Sequence, residues 1–271
     1  MFKKFFSLII KLASCFSISI NQLQSGEHPG YLLIEGIANV VFSPDGRLVA
    51  YDNGISIVKI WDILSNREID TIKIRFKNES YYSRIYNDRR DISNIRAIAF
   101  SPDSRYVAIG SRDVRLTIYD RYKKEIIYEY KWEWKSVDPA YTYEPALDHL
   151  IVASIAFSPD GKYLAAGTCD GKIRVIDTQT FNVIKTIQAH KRCTQLVKFI
   201  KNGNVLLSCS FISLTPPPAS TNILFKIYEG YYEFKKFNFL TGNELQTFNI
   251  EGNFYFPIPA VSKDSKYIAI Y

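Results

Sequence analysis

The chain has 271 residues, of which 47% are hydrophobic and 15% aromatic, with 19 Tyr and 18 Phe, enough to bury a substantial core and a composition that suits β-strands. The net charge of +7 is mild for this size and the basic residues are scattered, which disfavours nucleic acid as a partner. Four cysteines (Cys15, Cys169, Cys193 and Cys209) form no CxxC and no cluster with histidine, which excludes a zinc site, so free thiols in a reduced compartment are expected.

The first stretch, MFKKFFSLIIKLASCFSISI, has two readings. A basic start, an apolar run and Leu12-Ala13-Ser14-Cys15 resemble an export signal with a lipoprotein cleavage box, but Lys11 interrupts the apolar core where a signal is uncharged. The segment is too short and too polar to span a membrane, and strands are the preferred reading.

Phe42–Asp62 (FSPDGRLVAYDNGISIVKIWD) then opens a pattern that returns at Phe100–Asp120 (FSPDSRYVAIGSRDVRLTIYD) and Phe157–Asp177 (FSPDGKYLAAGTCDGKIRVID), three stretches that align without a gap. Each ends a strand in Phe, turns at Ser-Pro-Asp, and continues into a small-residue strand and a third strand closed by Asp. In Pro159-Asp160-Gly161 the proline presets φ, Asp bonds its own backbone and Gly accepts positive φ. Asp170-Gly171 is a two-residue hairpin signal. An antiparallel meander follows. Fourth strands are expected at Ile69–Ile74 and Glu125–Trp132, and long inserts at Arg75–Ser93 and Trp134–Leu150, whereas Thr178–Gln195 is the shortest connection. A fourth unit begins at Phe199, turns at Lys201-Asn202-Gly203, runs strand Val205–Ser210 and carries an insert, Phe211–Gly230, containing Pro216-Pro217-Pro218. A fifth starts at Val261 and stops at Tyr271.

The Ser-Pro-Asp turn, the small-residue second strand and the closing Trp61-Asp62 resemble the WD-repeat β-propeller family, whose units run to roughly 40–45 residues with four strands per blade. The resemblance implies an all-β propeller of four-stranded antiparallel blades: about five blades, the last shared between the two chain ends, or an incomplete larger ring. On this reading residues 1–15 are an N-terminal segment, strand or signal-like, and residues 16–271 a single propeller domain. Phe16–Asn21 would then pair with Tyr267–Tyr271 to close the ring and remove exposed sheet edges. Ala189-His190 stands where the family has Gly-His. With no Asp at the hairpin of the next blade the family's full polar tetrad is not expected, and His190 reads as a structural residue.

For the family, the resemblance implies an interaction scaffold rather than an enzyme. No GxSxG, HExxH, P-loop or GxGxxG is present, and Asp62, Asp120 and Asp177 recur at one repeat position, so they are not a catalytic set. No catalytic, metal or cofactor residue is assigned. In a four-stranded blade the first-to-second and third-to-fourth turns share one face, and the other connections share the opposite face. All three inserts fall on the second face, and exposed aromatics there are the residue types that dominate binding hot spots. The expected partner contacts are Tyr81, Tyr82, Trp134, Tyr141, Tyr143, Phe211 and Tyr231, with other proteins as partners and the cytoplasm as the location. The alternative is an exported or lipid-anchored bacterial propeller that binds or processes a ligand.

Overall fold

The computed structural model describes residues 39–52, 56–74, 95–111, 115–131, 151–214, 228–254, 259–262 and 266–269. Within these residues, eighteen strands build four four-stranded antiparallel sheets and one two-stranded sheet. Blade 1 comprises β1 (Val40–Phe42), β2 (Leu48–Asp52), β3 (Ile57–Asp62) and β4 (Arg67–Lys73). Blade 2 comprises β5 (Ile95–Phe100), β6 (Tyr106–Ser111), β7 (Arg115–Asp120) and β8 (Glu125–Lys131). Blade 3 comprises β9 (Val152–Phe157), β10 (Tyr163–Thr168), β11 (Lys172–Asp177) and β12 (Val183–Gln188). Blade 4 comprises β13 (Leu196–Ile200), β14 (Val205–Ser213), β15 (Tyr228–Asn238) and β16 (Glu244–Phe254). In each, spatial order follows chain order. The pair β17 (Ala260–Val261) and β18 (Ile268–Ala269) opens the fifth unit. This is an all-β propeller architecture.

The first turn of blades 1 to 3 repeats one device. Ser43 Oγ accepts the Leu48 N–H at 2.8 Å and donates to Asp45 at 2.5 Å. Ser101 does the same for Tyr106 and Asp103, and Ser158 for Tyr163 and Asp160. Ser262 accepts the Tyr267 N–H at 3.0 Å, so the fifth unit uses the same turn. Lys201-Asn202-Gly203 forms a short 3-10 turn instead. The closing residue of the third strand organises the next turn. Asp62 Oδ1 accepts the N–H groups of Leu64 and Ser65, and Asp120, Asp177 and Asn238 each accept the two equivalent donors of their own blades. These side chains satisfy backbone donors that a tight turn leaves unpaired, a structural reason for their recurrence.

The fourth strand of every blade carries a bulge at the same register, so that Ile69, Ile127, Ile184 and Leu245 are the extra residues. Apolar packing then runs from blade to blade. Val58, Ile60 and Ile72 of blade 1 meet Ile95, Val107 and Ile109 of blade 2, and blade 2 packs on blade 3 through Ile118 and Leu164. Blade 3 meets blade 4 through Val175, Phe199 and Phe237, and Tyr232 and Phe234 of blade 4 pack towards Val261 and Ile268. Polar links cross the same junctions: the Tyr119 hydroxyl donates to Asp70 at 2.7 Å, and Lys198 Nζ donates to the Val261 and Ser262 carbonyls.

Two expectations are corrected here. Cys169 and Cys193 are not free thiols but form a disulfide, while Cys209 is free and buried. The cause is topological. The hairpin after β10 abuts the crossover from β12 to β13, because Ala189 and His190 both donate N–H to the Gly171 carbonyl. The 211–230 insert is also shorter than its sequence implies. The β14–β15 ladder continues through Phe211↔Tyr232, Ile212↔Tyr231 and Ser213↔Gly230, since aromatic and β-branched residues extend the pairing up to the proline-rich stretch.

Candidate interaction face

The antiparallel path places the β2–β3, β6–β7, β10–β11 and β14–β15 connections on one rim, together with the crossovers β4–β5, β8–β9 and β12–β13. The strand ends joined by the long connections 74–94, 132–151 and 214–227 all lie on this rim. The opposite rim holds the tight Ser-Pro-Asp turns.

The rim is best defined between blades 3 and 4. Gly171 has φ +77°, and a methyl there would lie 2.0 Å from the His190 carbonyl oxygen, so only glycine lets hairpin and crossover touch. Thr194 N–H donates to the Thr168 carbonyl at 3.1 Å, and the disulfide closes the same gap. Asp170 is held by Arg174 at 2.8 Å and by the Thr168 hydroxyl at 2.5 Å. Burial alone would raise the Asp170 pKa, but Arg174 and Thr168 outweigh it and hold the carboxyl below its ordinary value.

Behind the crossover, His190 is 3% exposed and bonded at both nitrogens. Nδ1 lies 2.6 Å from Glu233 Oε2 and Nε2 lies 2.8 Å from Ser208 Oγ. Nδ1–H donating to the carboxylate and Ser208 O–H donating to Nε2 satisfies every group with a neutral ring. Burial depresses the His190 pKa, and the Glu233 carboxylate only partly offsets it. Ser, His and Glu in this order is also the hydrogen-bond pattern of a hydrolytic triad. Ser208 is 0% exposed on the central strand β14, so no substrate reaches its Oγ, and the three residues work as a buried cross-link between crossover and blade. Sequence reading expected a structural His190 but missed Glu233. The acid stands on the third strand rather than at the hairpin, and in sequence Glu233 is one of two glutamates in an aromatic-rich run.

The sequence-predicted contacts divide into two groups. Phe211 and Tyr231 belong to β14 and β15 and are half-buried, with the Phe211 ring 5.1 Å from that of Tyr232. Phe211 therefore packs against blade 4, and Tyr231 opposes Ile212. Tyr81, Tyr82, Trp134, Tyr141 and Tyr143 lie outside the described residues. Among the described residues, no helix is long and apolar enough to cross a membrane, and no group of three or more His, Cys, Asp or Glu side chains could hold a metal.

Comparison with known proteins bears directly on the repeats. Residues 133–202 match the model of the anaphase-promoting complex subunit 4 WD40 domain, and residues 89–120 match that of the WD domain, G-beta repeat. Protein HIR1 of Eremothecium gossypii is 26% identical over 176 residues, covering 60% of this chain and 20% of that protein. A eukaryotic translation initiation factor 3 subunit of Scheffersomyces stipitis is 27% identical, covering 68% and 48% respectively. A chromatin assembly factor 1 subunit of Gallus gallus is 26% identical, covering 54% and 25%. The chain thus spans less than half the length of each of these relatives. Among solved structures, hydrazine synthase of Kuenenia stuttgartiensis superposes with a TM-score of 0.61 at 16% identity over 92% of this chain and 58% of that one. A chain of the mitotic checkpoint complex superposes with a TM-score of 0.53 at 17% identity over 78% and 50%. These likenesses concern the fold. The repeated turns, the blade topology and the family matches agree that residues 89–120 and 133–202 are WD-repeat sequence in a β-propeller fold.

Proposed function

We propose that the chain is a non-catalytic scaffold that binds other proteins inside the cell through its insert-bearing rim. The observation that carries this reading is the asymmetry of the connections. Three connections at or beyond the roughly 12–15 residues usual for compact domains leave the same rim, while the opposite rim is made of tight turns. Loops on a rigid β-scaffold are a common place for recognition. Relatives named for chromatin assembly and translation initiation support an intracellular assembly role. The test is co-purification of the native partner followed by alanine substitution at Tyr141 and Tyr143. The pair is expected to weaken binding by on the order of 1 kcal/mol or more. Unchanged affinity, with loss on substituting Arg105 and Lys162 at the tight-turn face, would sink it.

A second reading, an exported or lipid-anchored propeller, draws support from the Cys169–Cys193 disulfide, since such bonds persist in oxidising compartments. Intact mass separates the two. A chain beginning at Met1 fits the scaffold inside the cell, and a lipidated Cys15 fits the exported form.

A further inference from the structure

The crossover Ala189–Gln195 contains no acidic residue, and Lys191 and Arg192 are exposed at its tip. Beside them, across the Gly171–His190 contact, stands Lys172, whose side chain is 38% exposed. Arg174 adds a fourth cation but is turned inward onto Asp170. Among the described residues, the carboxylates acting on this corner are Asp170, Glu233 and Glu244, the last paired with Lys235 at 3.1 Å. Asp170 is engaged by Arg174 and Lys172, and Glu233 by His190. The outward charge of this corner is therefore positive.

The corner is also rigid. The Gly171 carbonyl accepts two N–H groups, Thr194 pairs with Thr168, Cys169 is bonded to Cys193, and His190 is fixed from behind by Ser208 and Glu233. A fixed backbone removes the cost of ordering the loop on binding, so the charge converts into affinity more fully than on a mobile loop.

We infer that Lys172, Lys191 and Arg192 form a docking site for an acidic peptide segment of a protein partner. This rests on the scaffold reading and supplies the partner's chemistry on the same rim. Charge complementarity selects the acidic segment. The cluster is compact rather than a stripe that could track a phosphate backbone, and the crossover offers no aromatic ring on which a base could stack, which favours peptide over nucleic acid.

The experiment uses the full chain and three fluorescein-labelled probes of about ten units each, oligoglutamate, oligolysine and oligothymidylate, read by anisotropy at low and near-physiological salt. Oligoglutamate should bind in preference to the other two, and more weakly as salt rises. The double substitution Lys191→Glu/Arg192→Glu should lower its affinity about tenfold or more, while Lys162→Glu/Lys201→Glu on the opposite rim should leave it within about twofold. Circular dichroism of both variants checks that the fold is intact. Equal binding of oligolysine, unchanged affinity in the first variant, or tighter binding of oligothymidylate overturns the proposal. If oligoglutamate fails while Tyr141→Ala/Tyr143→Ala still releases the native partner, the acidic-peptide assignment falls and the scaffold reading stands.

Discussion

His190 shows how one buried side chain ties a crossover to its neighbouring blade. Its ring is neutral in the fold because burial holds its pKa below the ordinary value of 6.5, while in the unfolded chain it titrates normally. As pH falls below 6.5 the unfolded state takes up a proton that the folded state refuses, so this contribution to stability is complete above 6.5 and drains away below it. The urea midpoint should therefore drop between about pH 7.5 and 5.5 in the native protein, and His190→Asn should flatten that drop. Removing the ring with His190→Ala leaves Ser208 and Glu233 without their partner. That should cost about 2–4 kcal/mol, against less than about 1 kcal/mol for Glu233→Gln, which keeps an acceptor for Nδ1–H. Equal costs for the two variants would mean that the charge of the Glu233 carboxylate, not the packing of the ring, sets the role of His190. Arg105 and Asp120 respond in a different window. Arg105 holds Asp120 below its ordinary pKa of 3.8, so that pair supports the fold above this value and is lost as acid protonates the carboxylate.

At the scale of the element, the same turn is written four times with small changes. Gly46 and Gly161 take positive φ in the Ser-Pro-Asp turn, and Ser104 adopts φ 58° at the matching place in blade 2. A non-glycine residue is strained there, so Ser104→Gly should stabilise the protein slightly, whereas Gly171→Ala should destabilise it strongly because its new methyl meets backbone. Thermal melts of the two variants should move in opposite directions. The turns, the three-strand repeats and the fourth strands were legible in sequence because their chemistry is local: a proline, a hydroxyl two residues from an aspartate, a small-residue run. The bulge in each fourth strand was not read. Its residues, Ile69, Ile127, Ile184 and Leu245, look like ordinary alternation until the partner register is known. The length of the β14–β15 ladder was misread for a related reason: pairing between segments separated by a proline-rich stretch is a tertiary outcome. The disulfide and Glu233 escaped because their partners meet only when blade 3 and blade 4 are adjacent.

For the whole molecule, the question is how the last unit is completed. Between blades 1 and 2, and between 2 and 3, apolar residues of one four-stranded sheet pack on the next. Blade 4 offers a broad apolar face in Phe211, Tyr232, Phe234, Phe248 and Ile250, and the described part of the fifth unit answers it with Val261 and Ile268. Phe234 and Phe248 stack at 5.1 Å with Lys236 above the Phe248 ring, yet Phe248 and Ile250 stay half-buried. The expected partner strand, Phe16–Asn21, lies outside the described residues. If that strand joins β18, the two ends of the chain make one blade and the edge left by β18 is paired. Cysteines introduced at Ile20 and Ile268, in a protein whose four native cysteines are replaced by serine, then form an intrachain disulfide under mild oxidation. Shifting the first cysteine to Tyr31 should abolish the cross-link, because that residue belongs to the next strand out. A bond that forms equally well from both positions would report a mobile end rather than a fixed register, and no bond from either would leave the propeller open at its fifth unit. Closure also predicts a kinetic signature. A ring sealed by pairing residues about 250 apart in sequence must form its most distant contact to become stable, so its refolding should be slower than that of the same chain lacking residues 1–34.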